Sequence, residues 1–279
     1  MSTILAAPDK FRGSASAREV AAGVAAAADA VGWSCVQLPL ADGGEGTLDA
    51  FGGANRSTTV TGPLGGRVDA EWRLGDDGVA VVESALASGL VLAGGAEGND
   101  PVRATSRGTG QLVAAAIAGG ARRVIVSLGG SATTDGGLAT VEELDAYAPF
   151  DGRDGRPEVL VACDVRTRFR DAAVVFGPQK GASPEQVVEL TARLDNLADR
   201  YLQRYGIDLS TVDGSGAAGG LGGALAVLGA RLVPGFELVA EHTGLAGAVR
   251  GADAVITEAS WRDPVGCVTQ AAEQWLRGR

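Results

Sequence analysis

Short apolar runs alternate with alanine-rich stretches along the chain, and their spacing predicts an α/β protein. Residues 3–7 and 34–40 are apolar runs, and residues 17–31 have the composition of a helix that Ser14 or Ser16 could cap. A strand, a helix and a strand joined by short links are typical of the start of a doubly wound parallel sheet. In such sheets, ligands bind beside the loops that follow the strands.

The pattern changes near Thr59, where short β-branched runs separated by turn glycines predict a meander or a mixed sheet at 57–60, 67–74 and 79–83. A second α/β portion follows. It has predicted strands at 123–128, 158–163 and 254–257 and predicted helices at 108–119, 136–147, 184–205, 217–228 and 264–276. The clearest helical stripe is 184–205, where Ser183 and Gln186 indicate a capping box.

Composition narrows the class of protein. The chain has 279 residues, of which 46% are hydrophobic and 21% are charged, so it can bury a substantial core. The net charge of −10 argues against a nucleic-acid or anionic-membrane partner, because such partners need clustered Lys and Arg. The scattered cysteines, Cys35, Cys163 and Cys267, and the short longest apolar stretch, near 217–230, predict a cytoplasmic location.

Glycine-rich loops follow three of the predicted strands, and a fourth precedes a predicted helix. Paired glycines expose backbone N–H groups, and a following helix adds the positive end of its dipole, so these loops are candidate phosphate sites. The four are APDKFRGS (7–14), ADGGEGT (41–47), LGGSATTDGG (128–137) and GSGAAGG (214–220). A further compact loop, FGPQKG (176–181), supplies Lys180 as a point charge for a phosphate.

The carboxylates of Asp42, Glu45 and Asp135 lie within the glycine-rich loops. Beside a phosphate, a carboxylate can hold Mg²⁺ or can orient and deprotonate an attacking hydroxyl. Lys10 and Arg12, next to Asp9, could bind a substrate carboxylate. For any one loop the alternatives stay open: a tight turn for the glycines, an Asx-turn for the carboxylates and a solvated surface for the cations.

Other site types have no support in the sequence. It contains no GxxxxGK[ST] loop, no HRD…DFG set, and no HExxH or CxxC metal motif. The one histidine, His242, lies near a predicted helix end and is interpreted as a surface or capping residue. A Ser-His hydrolase is therefore a weak hypothesis.

The order of these motifs resembles that of the bacterial glycerate kinases, in the glycerate 2-kinase branch. The resemblance covers residues 2–257 and rests on APDKFRGSASAREVAAGV, LPLADGGEGTLDAF, SRGTGQLVAAAIAGGARRVIVSLGGSATTDGG, VACDV, FGPQKGA and GSGAAGGLGGALAVLGARLVPGFELV. It implies transfer of the ATP γ-phosphate to D-glycerate, giving 2-phosphoglycerate, with Mg²⁺ present. It also implies two α/β domains, a discontinuous Rossmann-like domain and an inserted one, with the active site in the cleft between them.

The matching loops supply the candidate site residues. The predicted catalytic group is Asp42, Asp135 and Lys180, with the choice of base left open between the two aspartates. The predicted substrate-binding residues are Asp9, Lys10, Arg12 and Ser14. The predicted phosphate- and nucleotide-binding residues are Gly43, Gly44, Gly129, Gly130 and Ser131, and the predicted Mg²⁺ ligands are Asp42 and Glu45.

The expected boundaries place residues 1–62 and 252–279 in the Rossmann-like domain and residues 63–251 in the inserted domain. Two departures from the family pattern stand out. The segment 138–157 is short, and after Glu258 the chain lacks the family's GEGRLD-like loop and the strand–helix units that follow it. We therefore expect an incomplete Rossmann-like domain with an exposed strand edge, and a homo-oligomer could cover that edge. The alternative function is a shortened, weak or inactive homologue that binds a ligand or a partner.

Overall fold

The computed structural model describes residues 2–11 and 15–257. The predictions for Arg12 and Ser14, for the stretch after Thr257 and for a helix at 264–276 lie outside these residues. The strands are β1 (Thr3–Ala6), β2 (Ser34–Gln37), β3 (Arg56–Thr61), β4 (Arg67–Leu74), β5 (Val79–Glu83), β6 (Arg123–Ser127), β7 (Glu158–Ala162), β8 (Arg231–Val233) and β9 (Ala254–Ile256). The α-helices are α1 (Ala17–Ala30), α2 (Thr47–Ala50), α3 (Ala85–Ser88), α4 (Gly95–Gly98), α5 (Arg107–Ala118), α6 (Leu138–Leu144), α7 (Ala172–Phe176), α8 (Pro184–Tyr205), α9 (Ala217–Val227), α10 (Gly235–Thr243) and α11 (Leu245–Gly251).

The chain divides into two compact units. One is Met1–Gly53 with Pro234–Arg279, and the other is Ala54–Val233. These boundaries differ from the expected 62/63 and 251/252. The first boundary falls earlier because β3 pairs with β4 along its whole length, which places β3 in the middle unit. The second boundary falls earlier because the helices α10 and α11 contact α2 and β1 of the first unit.

The first unit contains a parallel three-stranded sheet in the order β2-β1-β9. The helix α1 connects β1 to β2 and begins at a capping box in which Ser16 and Glu19 bond reciprocally, so the predicted strand–helix–strand start of the chain is present. Within the described residues β9 pairs with β1 alone, and Val255 and Ile256 are nearly half exposed. This strand is therefore an edge in the described part of the sheet.

The second unit contains a six-stranded sheet in the order β3-β4-β5-β6-β7-β8. The first three strands are antiparallel and the last four run parallel, which makes the mixed sheet that the β-branched runs predicted. The central strands are buried, with Val126 and Val161 inaccessible to solvent, and Leu112 of α5 lies in the same core. The carboxyl ends of β5, β6 and β7 therefore meet at one edge of this sheet.

The sequence correctly predicted both ends of α8. Ser183 accepts from the Gln186 N–H and completes the capping box, and Gly206 ends the helix in the left-handed region. The side chains of Leu190, Leu194 and Leu197 are buried at helical spacing. No helix among the described residues is long and apolar enough to cross a membrane.

Two helices near the candidate loops have irregular first turns that the sequence did not predict. The helix expected at 136–147 starts at Leu138, because Gly136 and Gly137 both have φ near +66°, and it finishes as a 3₁₀ turn at Asp145–Tyr147. The helix α9 begins with three left-handed residues, Ala218, Gly219 and Gly220, before it becomes regular. The sequence did not predict β8, α10 or α11, of which β8 has only three residues and so carries little periodic signal.

Candidate active site

Two neighbouring loops of the first unit bring four predicted site residues together. Lys10 Nζ lies 3.9 Å from Asp9 Oδ1 and 3.7 Å from Asp42 Oδ1, and it donates to the Glu45 carbonyl oxygen at 2.8 Å. The loops follow β1 and β2, which are adjacent parallel strands, so their carboxyl ends lie side by side. The residues from APDK and ADGGEG therefore form one cluster, which we call the Lys10 cluster: Asp9, Lys10, Asp42 and Glu45.

The ADGGEG loop holds Asp42 in a fixed turn. The Gly44 N–H donates to Asp42 Oδ1 at 2.9 Å, and Thr47 Oγ1 donates to the Gly44 carbonyl at 2.7 Å. Gly235 packs so closely that a Cβ there would lie 2.4 Å from the Asp42 carbonyl oxygen. The Asp42 side chain is 38% exposed, and its Oδ2 has no hydrogen-bond partner in the described part of the chain. That oxygen is available to a ligand.

Glu45 and His242 lie at the surface of the same unit. The Glu45 side chain is exposed, and only its backbone carbonyl takes part in the Lys10 cluster. His242 stacks on Phe51 with ring centroids 3.8 Å apart. Across residues 2–11 and 15–257, no group of three or more His, Cys, Asp or Glu side chains could hold a metal ion.

The loop after β6 in the second unit has the geometry of a phosphate-binding loop. Its backbone is fixed from one side, because the Leu90 N–H donates to the Gly130 carbonyl at 2.8 Å and the Ala132 N–H donates to the Ser88 carbonyl at 2.9 Å. The N–H groups of Gly129, Gly130 and Ser131 have no acceptor among the described residues. We call residues 129–134 the phosphate loop. Successive unpaired N–H groups are the donors that bind an anion in such loops.

Asp135 connects the phosphate loop to two helices. Its Oδ2 accepts from both the N–H and the Oγ of Ser106 at 2.8 Å, and its Oδ1 accepts from the Gly137 N–H at 3.0 Å. Ser106 and Gly137 are the residues directly before α5 and α6, so the carboxylate occupies the positive end of both helices. Desolvation raises the pKa of Asp135, and the bonds from Ser106 and Gly137 oppose that rise.

Lys180 lies beneath the phosphate loop. The residue is 3% exposed, and its Nζ donates to Ser131 Oγ at 2.9 Å and to the Thr133 carbonyl at 2.6 Å. Burial lowers the pKa of Lys180 to about 7, and the charge of Asp135 acts in the opposite direction. The structure thus brings together the predicted residues Ser131, Asp135 and Lys180.

Two residues of this arrangement were missed by the sequence analysis. Asn99 Nδ2 donates to the carbonyl oxygens of Ala132 and Lys180, at 3.0 and 2.9 Å. Ser106 is the main partner of Asp135. A serine before a helix is a recognisable cap, so Ser106 had a signal, whereas the role of Asn99 depends on contacts distant in the sequence.

The GSGAAGG loop packs against the phosphate loop. Gly136 N–H donates to the Gly219 carbonyl at 3.0 Å, and a Cβ on Gly219 would lie 2.0 Å from the Thr133 carbonyl oxygen. Its own N–H groups at Ser215, Gly216, Ala217 and Gly220 donate to carbonyl oxygens within the protein. This fourth candidate loop therefore supports its neighbour and uses these N–H groups internally.

Glycine-rich loops after parallel strands, with unpaired N–H groups and nearby carboxylates, define an enzyme that handles phosphate groups. The model of the glycerate kinase family matches residues 4–155 and 146–263. The chain therefore belongs to the glycerate kinase family, and it is a kinase.

Individual relatives agree with this assignment. The chain is 39% identical to glycerate 2-kinase of Escherichia coli K12 over 289 residues, covering 91% of this chain and 76% of the relative. It is 36% identical to glycerate kinase of Halalkalibacterium halodurans, covering 99% of this chain and 83% of the relative. The crystal structure of a protein named as glycerate kinase 2 from Salmonella typhimurium LT2 matches with a TM-score of 0.82 and 34% identity, covering 98% of this chain and 84% of that one.

The same comparisons bear on the short segments noted in the sequence. The alignment with the H. halodurans relative spans 318 residues although this chain has 279, so the relative contains segments that this chain lacks. The two stretches of the family match overlap at 146–155, inside the segment 138–157 that the sequence analysis found to be short. The comparisons favour the kinase over the alternative of a homologue that only binds a ligand or partner.

Proposed function

We propose that this kinase transfers the γ-phosphate of ATP to D-glycerate and that the product is 2-phosphoglycerate. The observation that carries the proposal is the phosphate loop, whose three unpaired N–H groups follow the parallel strand β6 in a chain of the glycerate kinase family. The E. coli relative named glycerate 2-kinase supports the choice of hydroxyl.

The phosphate loop would bind the transferred phosphate. N–H groups that are fixed before the substrate arrives stabilise the charge on the phosphoryl oxygens without reorganisation during the reaction. Ser131 adds a hydroxyl, because its oxygen accepts from Lys180 and its hydrogen is free to be donated to a phosphate oxygen.

The Lys10 cluster would bind glycerate and activate its hydroxyl. Lys10 supplies a cation for the substrate carboxylate, and Arg12 and Ser14 remain predicted contributors to the same task. Asp42 is the better candidate for the general base, because its Oδ2 is available while both oxygens of Asp135 already accept bonds from helix N-termini. We therefore assign Asp135 a structural role in holding α5, α6 and the phosphate loop together.

Mg²⁺ would enter with ATP. Mg²⁺ keeps several waters and takes only one or two carboxylates besides the substrate phosphates. Asp42 and the exposed Glu45 meet that modest requirement, consistent with the lack of a larger ligand group among the described residues. When bound, the ion would neutralise part of the charge on the transferred phosphate.

A coupled ADP-release assay with D-glycerate and MgATP tests the proposal, and phosphorus NMR of the product identifies the phosphorylated hydroxyl. We expect ADP release that depends on D-glycerate and a product phosphorylated at the 2-position. Reactions with L-glycerate and without any acceptor are the controls. Glycerate-independent ADP release, or a 3-phosphorylated product, would contradict the proposed reaction.

A further inference from the structure

The chain contains two lysine residues, and both lie in candidate site loops. Lys10 belongs to the Lys10 cluster and Lys180 lies beneath the phosphate loop, while every other basic side chain apart from the one histidine is an arginine. A lysine ammonium is compact, donates in three directions and can lose its proton, whereas a guanidinium is a larger planar fork that stays charged. A lysine therefore suits the buried position 180, where a compact ammonium donates to two different acceptors.

The backbone around Lys180 directs its side chain inward. Lys180 ends the 3₁₀ turn Pro178–Lys180, and Gly181 follows with φ +90°. A Cβ on Gly181 would lie 2.1 Å from the Ala96 carbonyl oxygen, so the chain can make this turn only with glycine. Lys180 is therefore buried behind the phosphate loop, with 3% of its surface exposed.

Three consecutive residues of the phosphate loop are held from this side. Lys180 Nζ bonds Ser131 Oγ and the Thr133 carbonyl, and Asn99 Nδ2 bonds the Ala132 carbonyl between them. Asn99 Nδ2 also donates to the Lys180 carbonyl, so the two residues that bond the loop are linked to each other. The buried Oδ1 of Asn99 accepts no hydrogen bond. Two of the three N–H groups of the ammonium are therefore directed at the loop.

We propose that Lys180 is a positioning residue of the phosphate loop, which fixes Ser131 and Thr133 so that the N–H groups of residues 129–131 stay aimed at a bound phosphate, without touching the phosphate itself. The proposal rests on the proposed function, because it assumes that the loop binds the phosphate of ATP. In this proposal Lys180 influences phosphate binding only by positioning the loop, and not by contacting the phosphate.

The charge of Lys180 is part of this role. Burial places the pKa of Lys180 at about 7, so the ammonium is fully charged in mildly acidic solution and loses its charge as the pH rises. The charge of Asp135, in the loop after β6, acts on this ammonium and opposes the effect of burial. A cation beneath the loop strengthens its bonds to Ser131 and Thr133 and favours an anion above it.

A double-mutant cycle of Lys180→Met and Ser131→Ala in the full chain tests this proposal. We expect kcat/KM for ATP to fall about 10- to 100-fold in Lys180→Met, because a displaced loop misplaces the phosphate. We expect the double variant to be no worse than Lys180→Met by more than about 3-fold, because Lys180 acts through Ser131. The rise of KM for ATP between pH 6 and pH 8.5, expected in the wild type, should disappear in Lys180→Met, since that pH interval spans the pKa of about 7.

The matched control is Arg193→Met, which removes a cation that bonds the Val102 carbonyl in the same unit and does not touch the phosphate loop. Its kcat/KM should stay within about 2-fold of the wild type. Multiplicative losses in the cycle would show that Lys180 contacts the phosphate independently and would overturn the proposal. Unchanged kcat/KM in Lys180→Met would overturn it as well.

A second measurement on the unsubstituted chain does not depend on turnover or on the folding of a variant. With lysine labelled at its ε-carbon, the two lysines give two signals, and Lys10→Arg assigns them. We expect the Lys180 signal to titrate near pH 7. Titration of Lys180 near the ordinary value of about 10.4 would mean that its ammonium is in solvent and does not hold the loop. If the wild type shows no phosphoryl transfer, the proposed function fails while this titration still decides whether Lys180 holds the loop.

Discussion

At the residue scale, Asp42 combines a fixed turn with one available oxygen. The Gly44 N–H fixes Oδ1, and the exposed Oδ2 can accept a proton or bind Mg²⁺. Asp42→Asn keeps the shape of the side chain and removes the charge, so we expect kcat to fall by about 10²- to 10⁴-fold. Steady-state kinetics with D-glycerate and MgATP measure the loss.

Asp29→Asn is the control for Asp42→Asn. It removes one exposed carboxylate from the end of α1 in the same unit, and both variants should melt within about 2 °C of the wild type. A loss of kcat of less than about 10-fold in Asp42→Asn would remove Asp42 from the role of base.

Lys180 should make the stability of the protein depend on pH. Its pKa in the folded chain is about 7, below its ordinary value of 10.5, so between these two values the unfolded chain binds more protons. Stability therefore rises with pH in this interval, by about 2 kcal/mol from pH 7 to pH 9. Urea unfolding of the wild type and of Lys180→Met at both pH values measures the difference.

In Lys180→Met the contribution of this lysine to the pH dependence is gone. The free energy of unfolding of the variant should therefore change by about 2 kcal/mol less than that of the wild type over the same interval. Equal pH dependence in the two proteins would show that Lys180 is protonated alike in the folded and unfolded chains.

At the element scale, the left-handed start of α9 brings two loops into contact. Gly219 has φ +69°, and a Cβ at this position would lie 2.0 Å from the Thr133 carbonyl oxygen. We expect Gly219→Ala to lower the free energy of unfolding by at least about 3 kcal/mol, because it combines backbone strain with a collision. Denaturant unfolding monitored by circular dichroism measures the loss.

Gly206→Ala separates backbone strain from collision. Gly206 ends α8 with φ +73°, nearly the same conformation, but nothing lies within 4 Å of its added Cβ. Its substitution should cost only about 1 kcal/mol. Similar losses for both variants would mean that the close approach of α9 to the phosphate loop contributes nothing to stability.

Prediction at this scale was most accurate where the signal is local. The start of α8 was predicted because the Ser183 capping box lies beside it, and the predicted end at Tyr205 is followed by Gly206 in the left-handed region. The strand expected at 34–40 ends at Gln37, before Pro39, which cannot donate to a ladder. The helix α9 begins at Ala217 as predicted, but its left-handed residues were not predicted, because only packing against Thr133 and Gly136 shows why Ala218 adopts φ +51°.

At the scale of the whole molecule, the middle unit contains a complete core of its own. The main apolar cluster runs from Val60 to Leu232, entirely within Ala54–Val233. We therefore expect a fragment of residues 54–233 to fold alone and to unfold cooperatively in urea. Labelled lysine in that fragment, which contains Lys180 but not Lys10, should still titrate near pH 7.

A fragment of residues 63–233 is the matched control, because it begins at the boundary expected from the sequence. It lacks β3, which pairs with β4 over six residues from Arg56 to Thr61, and so it should be less stable. Non-cooperative unfolding of the 54–233 fragment, or equal stability of the two fragments, would contradict the division into units.

The sequence by itself determined the α/β class, the order of most strands and helices, and the glycine-rich loops to which we assign the chemistry. These features are local, since periodicity, caps and glycine pairs act over a few neighbouring residues. It also placed Asp42 and Asp135 in equivalent settings as candidate bases. Only the tertiary structure shows that their hydrogen bonds differ, because the bond from Ser106 to Asp135 joins segments that come together only in the folded chain.

The tertiary structure likewise decided the position of Lys180. The FGPQKG loop presented a cation suited to a phosphate, but its direction depends on the close approach of Gly181 to Ala96 and on the bonds to Ser131 and Thr133. The two bonds of Lys180 join residues 49 and 47 positions apart, and a bond from Thr133 to Ala218 of α9 joins residues 85 positions apart. Burial and long-range hydrogen bonds are properties of the packed chain, so no local pattern could show that this charge lies beneath the phosphate loop.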